Sequence, residues 1–353
     1  MHDVEFAFGT TEEAVDEERL RRFRARLDLT WSESLAANTE QRSAFRDRLG
    51  ERYQPGLDAM VMLHVCAFEA AEWAHGAIES ASKDDPDRLE FANYYEVVRG
   101  LFARTMLAFD EVTWLLRGGY PSGALTRVRT MQELVIIASV LAEHASPGAD
   151  HPELVEMYVR HHEVFIRSVA DELTATGALD PEKYFDADTL AALDAKRDEL
   201  IGRYGKRFKS MFGWAGPLFP DDKPISMARL SGLVTTKLNY FYGLSSSHIH
   251  GGSQGWHENF VTRGDEVALA CGPTNLGLVV PAQLATTFLL GMLEVAIPAA
   301  IRRDGHTDDT GAMFLSGIRR VAERAIKALS AAEERVAEEE RACQAQRRNS
   351  ADT

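Results

Sequence analysis

The stretch GALTRVRTMQELVII, residues 123–137, combines the apolar spacing of an α-helix with one acidic and two basic side chains. Arg129 and Glu133 are four residues apart, so they share one helix face and can pair. The flanking apolar residues are Leu125, Val128, Leu134, Val135 and Ile137. This setting predicts a buried helix with an ion pair, which is costly unless each charge finds further hydrogen bonds. A structural pair and a functional pair both fit the pattern.

Apolar residues recur at helical spacing along nearly the whole chain, and alternating strand patterns are nearly absent. The sequence therefore predicts an all-α fold, a multi-helix bundle. The predicted helices span residues 12–28, 31–51, 56–80, 87–117, 122–145, 150–176, 187–212, 226–250, 276–303 and 309–346. One small β-hairpin is expected after residue 257, where two short extended runs flank Arg263-Gly264-Asp265.

Length and charge give an outline of the domain organisation. The 353 residues, 45% of them hydrophobic, can bury a sizeable core. We expect an N-terminal helical extension at 1–85, a helical core domain with the polar site at 86–308, and a charged helix with a frayed tail at 309–353. The net charge of −15 disfavours non-specific binding to a phosphate backbone.

A second polar group lies near the end of the helix predicted at 226–250. Tyr242, Ser246 and His250 follow one another every four residues, so they stack along one helix face. Together they can orient a water, a hydroxyl or a phosphate, and histidine suits general acid or base chemistry near neutral pH. The alternative is an ordinary helix C-terminus, with His250 complementing the helix dipole and Gly251 serving as the cap.

These two motifs together resemble a bacterial family known as domain of unknown function 5677. The resemblance runs roughly from Phe91 to Val295 and consists of Arg-x-x-x-Glu in an apolar helix, followed by Tyr-x-x-x-Ser-x-x-x-His-Gly. It departs from the family pattern at Ser245, where a leucine is usual, and at the additional His248. The matching positions are Arg129, Glu133, Tyr242, Ser246 and His250. The resemblance implies positions for a site but no activity.

The helical plan is also similar, more remotely, to the HEPN superfamily, which includes ribonucleases of toxin and antiphage systems. Those enzymes carry an arginine that is followed, after four to six residues, by a histidine on the same helix. No histidine of this sequence has that spacing from an arginine. A composite site, with Arg129 from one helix and His250 from another, satisfies the same chemistry. The leading hypothesis is a metal-independent nuclease of defence or toxin type, with Glu133 holding Arg129. The alternative is a non-enzymatic sensor or partner-binding module.

A third hypothesis is a metal-dependent small-molecule enzyme. Glu72-x-x-His75 has the spacing of a di-iron carboxylate motif, and Glu69 lies one turn earlier. No second set with that spacing follows, and an amphipathic helix with scattered polar residues is the default interpretation. The sequence has no Walker loop, dinucleotide-binding glycine motif or nucleophile elbow, so no cofactor is expected.

Location and partners follow from composition. Three widely separated cysteines and an N-terminus without a signal peptide favour a reducing cytoplasm. Residues 276–301 are long and apolar enough to span a bilayer, but a central bundle helix has the same composition and is the preferred interpretation. The basic stretch at 202–209 is typical of a solvated helix end, and a local patch that binds RNA is the alternative. A homodimer through 309–346 is compatible with the sequence.

Overall fold

The computed structural model of the protein describes residues 17–81, 88–175, 186–234, 260–263, 266–269, 271–301 and 309–351. Its longer helices are α1 (Glu17–Ala81), α2 (Arg88–Arg117), α3 (Pro121–His144), α4 (Glu153–Ala175), α5 (Ala187–Tyr204), α7 (Val279–Ile301) and α8 (Asp309–Ala351). Between α5 and the short α6 (Met227–Ser231) lie two 3₁₀ helices, Lys206–Lys209 and Gly213–Leu218. The prediction of an all-α bundle is confirmed for this part of the chain.

Helix α1 is continuous, and the prediction of three separate helices in its place is wrong. The first predicted break contains Thr30, whose hydroxyl donates to the carbonyl of Arg26 at 3.0 Å and so stays within the helix. The second break was expected before Pro55, because proline removes a helical hydrogen bond at a cost of about 3 kcal/mol. Tyr53 and Leu57 on either side are fully buried, and this packing offsets that loss.

The chain divides into two compact units, Met1–Arg52 and Tyr53–Thr353. The described part of the first unit is the beginning of α1, where large apolar side chains such as Phe23 and Trp31 are exposed. The second unit contains all the other helices. The boundary expected near residue 85 falls within this second unit.

The core of the second unit forms where α2, α3 and α7 pack on one another, with α8 packed on α7. Phe109, Ile136 and Phe288 are buried at this centre, one from each of the three helices. The turn from α2 to α3 depends on Gly119, whose φ of +77° suits glycine. Pro121 then occupies the first turn of α3, where its missing N–H has no helical partner to lose.

Helices α4 and α5 pack together and are joined by ion pairs. Arg167 donates from Nε to Asp194 Oδ1 at 2.8 Å, and Arg203 makes a bidentate contact with Glu156. Helix α5 ends at Tyr204, eight residues before the predicted end, because Gly205 takes a φ of +88° that breaks the helical path. The 3₁₀ helices follow from there.

Helix α7 passes the length and composition test for a membrane span over Val279–Ala299. Its apolar side chains, including Leu289 and Met292, are buried by the neighbouring helices. This is the expected environment of a central bundle helix, as the sequence predicts.

Two four-residue strands lie in the segment where the sequence predicts a small β-hairpin. Strand β1 (Phe260–Arg263) pairs antiparallel with β2 (Glu266–Leu269), and Phe260 lies opposite Leu269. Val267 and Leu269 are exposed.

Candidate functional site

Arg129 and Glu133 form the predicted pair on α3. The Arg129 Nε donates to Glu133 Oε1 at 3.0 Å, and the two side chains are 14% and 36% exposed. The intervening Met131 and Gln132 are fully buried. The guanidinium therefore lies at the edge of the core, while its carboxylate partner reaches toward solvent. This placement reduces the desolvation cost that a fully buried pair would carry.

A neighbouring pair shows how the environment of Arg129 differs from the ordinary helix surface. Arg127, two residues earlier on α3, contacts Glu111 of α2 at 3.1 Å, but these side chains are 48% and 41% exposed. Exposed pairs of this kind contribute between zero and about 1 kcal/mol. Arg129 is the arginine of this motif that lies in a low-dielectric position.

The other three predicted site residues, Tyr242, Ser246 and His250, lie outside the described residues, as does most of the helix predicted at 226–250. The structure describes how the chain enters and leaves that segment. On the entry side, α6 packs on α3, and Val234 just beyond it is buried. On the exit side, the Thr274 N–H donates to the Gly119 carbonyl at 2.8 Å, at the start of α3. Both flanks are thus anchored at α3, and the convergence of the three residues on Arg129 stays a prediction.

A cavity of about 470 Å³ lies elsewhere in the second unit, between α1, α2 and α7. The helices α1 and α2 run in opposite directions there, since His75 stacks on Tyr95 and His64 on Phe109. Most of the polar lining residues therefore gather at one level of the cavity, and His64 lines it at another level, beside Phe109. The residues at the first level are Glu72, His75, Tyr95, Glu96 and Arg99. The volume falls within the range of small-molecule sites.

The predicted metal set Glu69, Glu72 and His75 is not assembled. Among the described residues, no group of three or more His, Cys, Asp or Glu side chains suits a metal ion. Residues 69 and 75 are six apart, which places them about 120° apart around a helix of 3.6 residues per turn. Glu72 and His75 line the cavity, whereas Glu69 does not, and both glutamates are exposed. The His75 Nε2 faces Glu79 Oε1 at 3.4 Å instead.

The comparison with family models bears on the first of these regions. Residues 95–267 match the family of unknown function DUF5677. The match covers just under half of the chain and confirms the resemblance to that family, although it ends well before Val295. It does not show the more remote similarity to the HEPN superfamily. No curated protein and no solved structure matched the chain.

The DUF5677 segment, residues 95–267, contains all five positions of the predicted polar site, from Arg129 to His250. The metal residues on α1 lie before it, and α7 and α8 lie after it. The cavity is built only partly from this segment, because its walls include α1 and α7. Arg129 and Glu133 do not line the cavity.

The loop just before α6 lies within the DUF5677 segment and is held by an ion pair and hydrogen bonds. These contacts fix how α6 approaches α3. Arg229 of α6 binds both carboxylate oxygens of Asp221, at 2.9 and 2.7 Å, and its guanidinium lies 4.4 Å from the centre of the Phe219 ring. The backbone N–H of Lys223 and the nearby Arg229 lower the pKa of Asp221. Arg207 also reaches this loop and donates to the Phe219 carbonyl at 2.7 Å.

The basic stretch at 202–209 is partly occupied by these structural contacts. Its two arginines bind within the protein, Arg203 to Glu156 and Arg207 to backbone carbonyls of the loop. Lys206 and Lys209 are exposed. An RNA backbone at this surface would meet two lysines, so the stretch offers fewer phosphate contacts than its composition indicates.

Sequence reasoning missed that Tyr95 and Arg99 line the same cavity as Glu72 and His75. The signal in the sequence is local: Tyr95, Glu96 and Arg99 fall within four residues of one another on α2. Nothing in that spacing reveals which turn of α1 they face. That information comes from the packing register of the two helices.

Proposed function

We propose that the protein is a metal-independent ribonuclease, acting as an effector of defence or toxin type, with its site at Arg129. The observation that carries this proposal is the Arg129 guanidinium, only 14% exposed and bonded through Nε to Glu133. Arginine held in a fixed orientation at low dielectric is well suited to stabilising charge on a phosphate. The anchoring of both flanks of 242–250 at α3 supports His250 as its partner.

The proposed reaction needs no water and no metal. His250 removes the proton from a ribose 2′-hydroxyl, whose oxygen attacks the adjacent phosphorus. Arg129 stabilises the charge on the phosphorane oxygens, and the bond to the 5′-oxygen breaks as protonated His250 returns to that oxygen the proton it removed. Tyr242 and Ser246 position the phosphate, and Glu133 positions Arg129. The products are a 2′,3′-cyclic phosphate and a 5′-hydroxyl.

The products and the 2′-hydroxyl requirement provide the test. Purified protein is incubated with 5′-labelled single-stranded RNA of mixed sequence, in EDTA, and with the same RNA fully 2′-O-methylated. The proposal predicts cyclic-phosphate ends from the first substrate, none from the second, and loss of cleavage in His250→Ala prepared in parallel. Equal cleavage by His250→Ala, or no cleavage of unmodified RNA, would overturn it.

A second candidate, a non-enzymatic sensor or partner-binding module, is favoured by the net charge of −15 and by the engagement of Arg203 and Arg207 within the fold. In that case the Arg129 pair only fixes helix packing. Arg129→Ala would then lower the free energy of unfolding by a few kcal/mol and change no RNA-dependent readout. RNA cleavage by wild type that is lost in an Arg129→Lys variant of unchanged stability would reject this candidate.

A further inference from the structure

The cavity between α1, α2 and α7 has an apolar body. Phe68 of α1, Phe102 and Met106 of α2, and Leu293 and Ile297 of α7 line most of it. Small residues leave the space open at several wall positions: Ala71 and Ala74, Gly100 and Ala103, and Ala296. A side chain added at Gly100 would meet nothing within 4 Å. The body of the cavity can therefore accept a hydrocarbon or aromatic group.

The polar level of the cavity is net negative. Arg99 is paired with Glu96, its Nη2 lying 2.7 Å from Glu96 Oε2, so these two charges compensate each other. Among the described residues, Glu72 has no cationic partner. Burial raises the pKa of the Tyr95 hydroxyl to about 12, and neighbouring carboxylates, Glu72 among them, add to this rise. Glu72 is exposed, so a cation at this level would gain an attraction to Glu72 that solvent partly screens.

The ring of His75 lines the cavity at the same level. Its Nδ1 is buried and has no hydrogen-bond partner within the described part of the chain. Its ring stacks against Tyr95, with centroids 6.1 Å apart and an interplanar angle of 6°. Because that nitrogen has almost no accessible surface, a ligand in the cavity would contact the His75 ring rather than its Nδ1.

We propose that this cavity binds a small amphipathic amine, whose protonated nitrogen lies beside Glu72 and His75 and whose apolar body lies among Phe68, Phe102 and Ile297. The aromatic rings favour a cation further, because the face of an aromatic ring attracts positive charge. A fatty acid in the same orientation would place its carboxylate against Glu72 and be repelled. Arg99 would not compensate, because it is already paired with Glu96. This site is independent of the ribonuclease proposal.

Three probes of equal chain length separate the contribution of the head-group charge from that of the apolar chain; they are n-decylamine, decanoate and 1-decanol. Each is titrated into the full-length protein by calorimetry, at concentrations below those at which the probe aggregates. The proposal predicts that decylamine binds at least about tenfold more tightly than decanoate, with decanol between them. Equal affinities for all three, or tighter binding of decanoate, would overturn it.

Matched variants locate the binding. Glu72→Gln removes the charge at the polar level and should abolish the preference for the amine, while decanol still binds. Glu69→Gln, one turn earlier and outside the cavity, should behave as wild type. An unchanged preference in Glu72→Gln would overturn the proposal.

Filling the cavity is the second control. Ala296→Phe should prevent binding of all three probes, and Ala71→Phe, at a less buried position, serves if the first variant does not fold. Folding is checked by the melting temperature of the free variant. Full binding of decylamine to a folded, filled variant would show that the amine binds elsewhere and would reject the site.

Discussion

At the residue scale, two arginines of one helix differ in their environment because of their position on the helix. Arg127 and Arg129 both pair with a glutamate, yet one lies on the surface and the other at the edge of the core. Sequence spacing reveals that each can pair, and the apolar neighbours indicate which is buried. The degree of burial, and the fact that Glu133 is more exposed than Arg129, required the packing of α3 against its neighbours.

His161 of α4 gives a prediction of pH dependence. Its Nε2 lies 3.0 Å from the Phe208 carbonyl and 2.9 Å from the Ser210 carbonyl, so this nitrogen carries a proton and donates. Burial lowers the pKa of His161 below its ordinary value. As the pH falls, the unfolded chain therefore protonates His161 at a higher pH than the folded chain does. The contribution of neutral His161 to the free energy of unfolding is complete above about pH 6.5 and is lost as the pH falls from that value through the folded pKa.

The variant His161→Gln keeps an N–H donor but does not titrate. We expect the melting temperature of wild type to fall more between pH 7.5 and pH 5 than that of His161→Gln. Parallel melting curves in the same buffers provide the measurement. Identical falls in the two proteins would mean that His161 does not contribute to the acid sensitivity.

At the element scale, α1 contains two glycines in opposite settings. A Cβ atom on Gly56 would lie 2.5 Å from Leu329 Cγ and 3.0 Å from the Leu329 backbone nitrogen on α8, whereas one on Gly76 would meet nothing within 4 Å. Close packing of α1 against α8 thus depends on Gly56. Gly76 only lowers the helical propensity of α1.

We expect Gly56→Ala to destabilise the protein by about 1–3 kcal/mol through overpacking. Gly76→Ala, on the same helix, should stabilise it by about 0.5–1 kcal/mol. Urea denaturation of the two variants and wild type measures both effects. A stabilising Gly56→Ala would show that Leu329 yields without cost and that the contact between the helices is loose.

Elements with strong local signals were predictable from the sequence. The turn Gly118-Gly119-Tyr120-Pro121 located the end of α2 and the start of α3 within a residue or so, because glycine and proline set backbone angles locally. The continuity of α1 through Pro55 was not predictable, since it depends on the burial of Tyr53 and Leu57. The cavity was missed for the same reason: Glu72 and Tyr95 come together only through helix packing.

At the scale of the whole molecule, α7 reconciles a membrane-like composition with a bundle core. Phe288, Leu289 and Met292 are buried against neighbouring helices, which supplies the apolar surroundings that a bilayer would otherwise supply. The sequence favours the bundle core, although length and composition alone fit both environments. The packing of α2, α3 and α8 around α7 supports the bundle-core interpretation.

We therefore predict that the full-length protein remains in the supernatant after cell lysis without detergent and ultracentrifugation. Leu289→Asp, which places a charge in the buried face of α7, should send the protein to the insoluble fraction. Immunoblots of both fractions give the result. Recovery of wild type only from membranes, with release by detergent, would contradict the assignment of α7 to the core.

The acidic character of the molecule also bears on the proposed ribonuclease activity. With a net charge of −15, RNA binding would depend on a few local cations rather than on the general field. Lys206 and Lys209 are the exposed cations of the basic stretch, and Arg129 acts at the reacting phosphate in the proposed reaction. On this proposal the affinity for RNA is modest. Much of the rate enhancement then comes from the contact of Arg129 with the phosphate in the transition state.

The most direct test of the ribonuclease proposal compares wild type, Arg129→Lys and Arg127→Lys in one RNA-cleavage assay, together with their melting temperatures. Lysine keeps the charge but lacks the planar fork of arginine. We predict that Arg127→Lys cleaves at the wild-type rate and that Arg129→Lys is slower by about a hundredfold while remaining folded. Equal rates for all three proteins, or no cleavage by wild type, would contradict a catalytic role for Arg129.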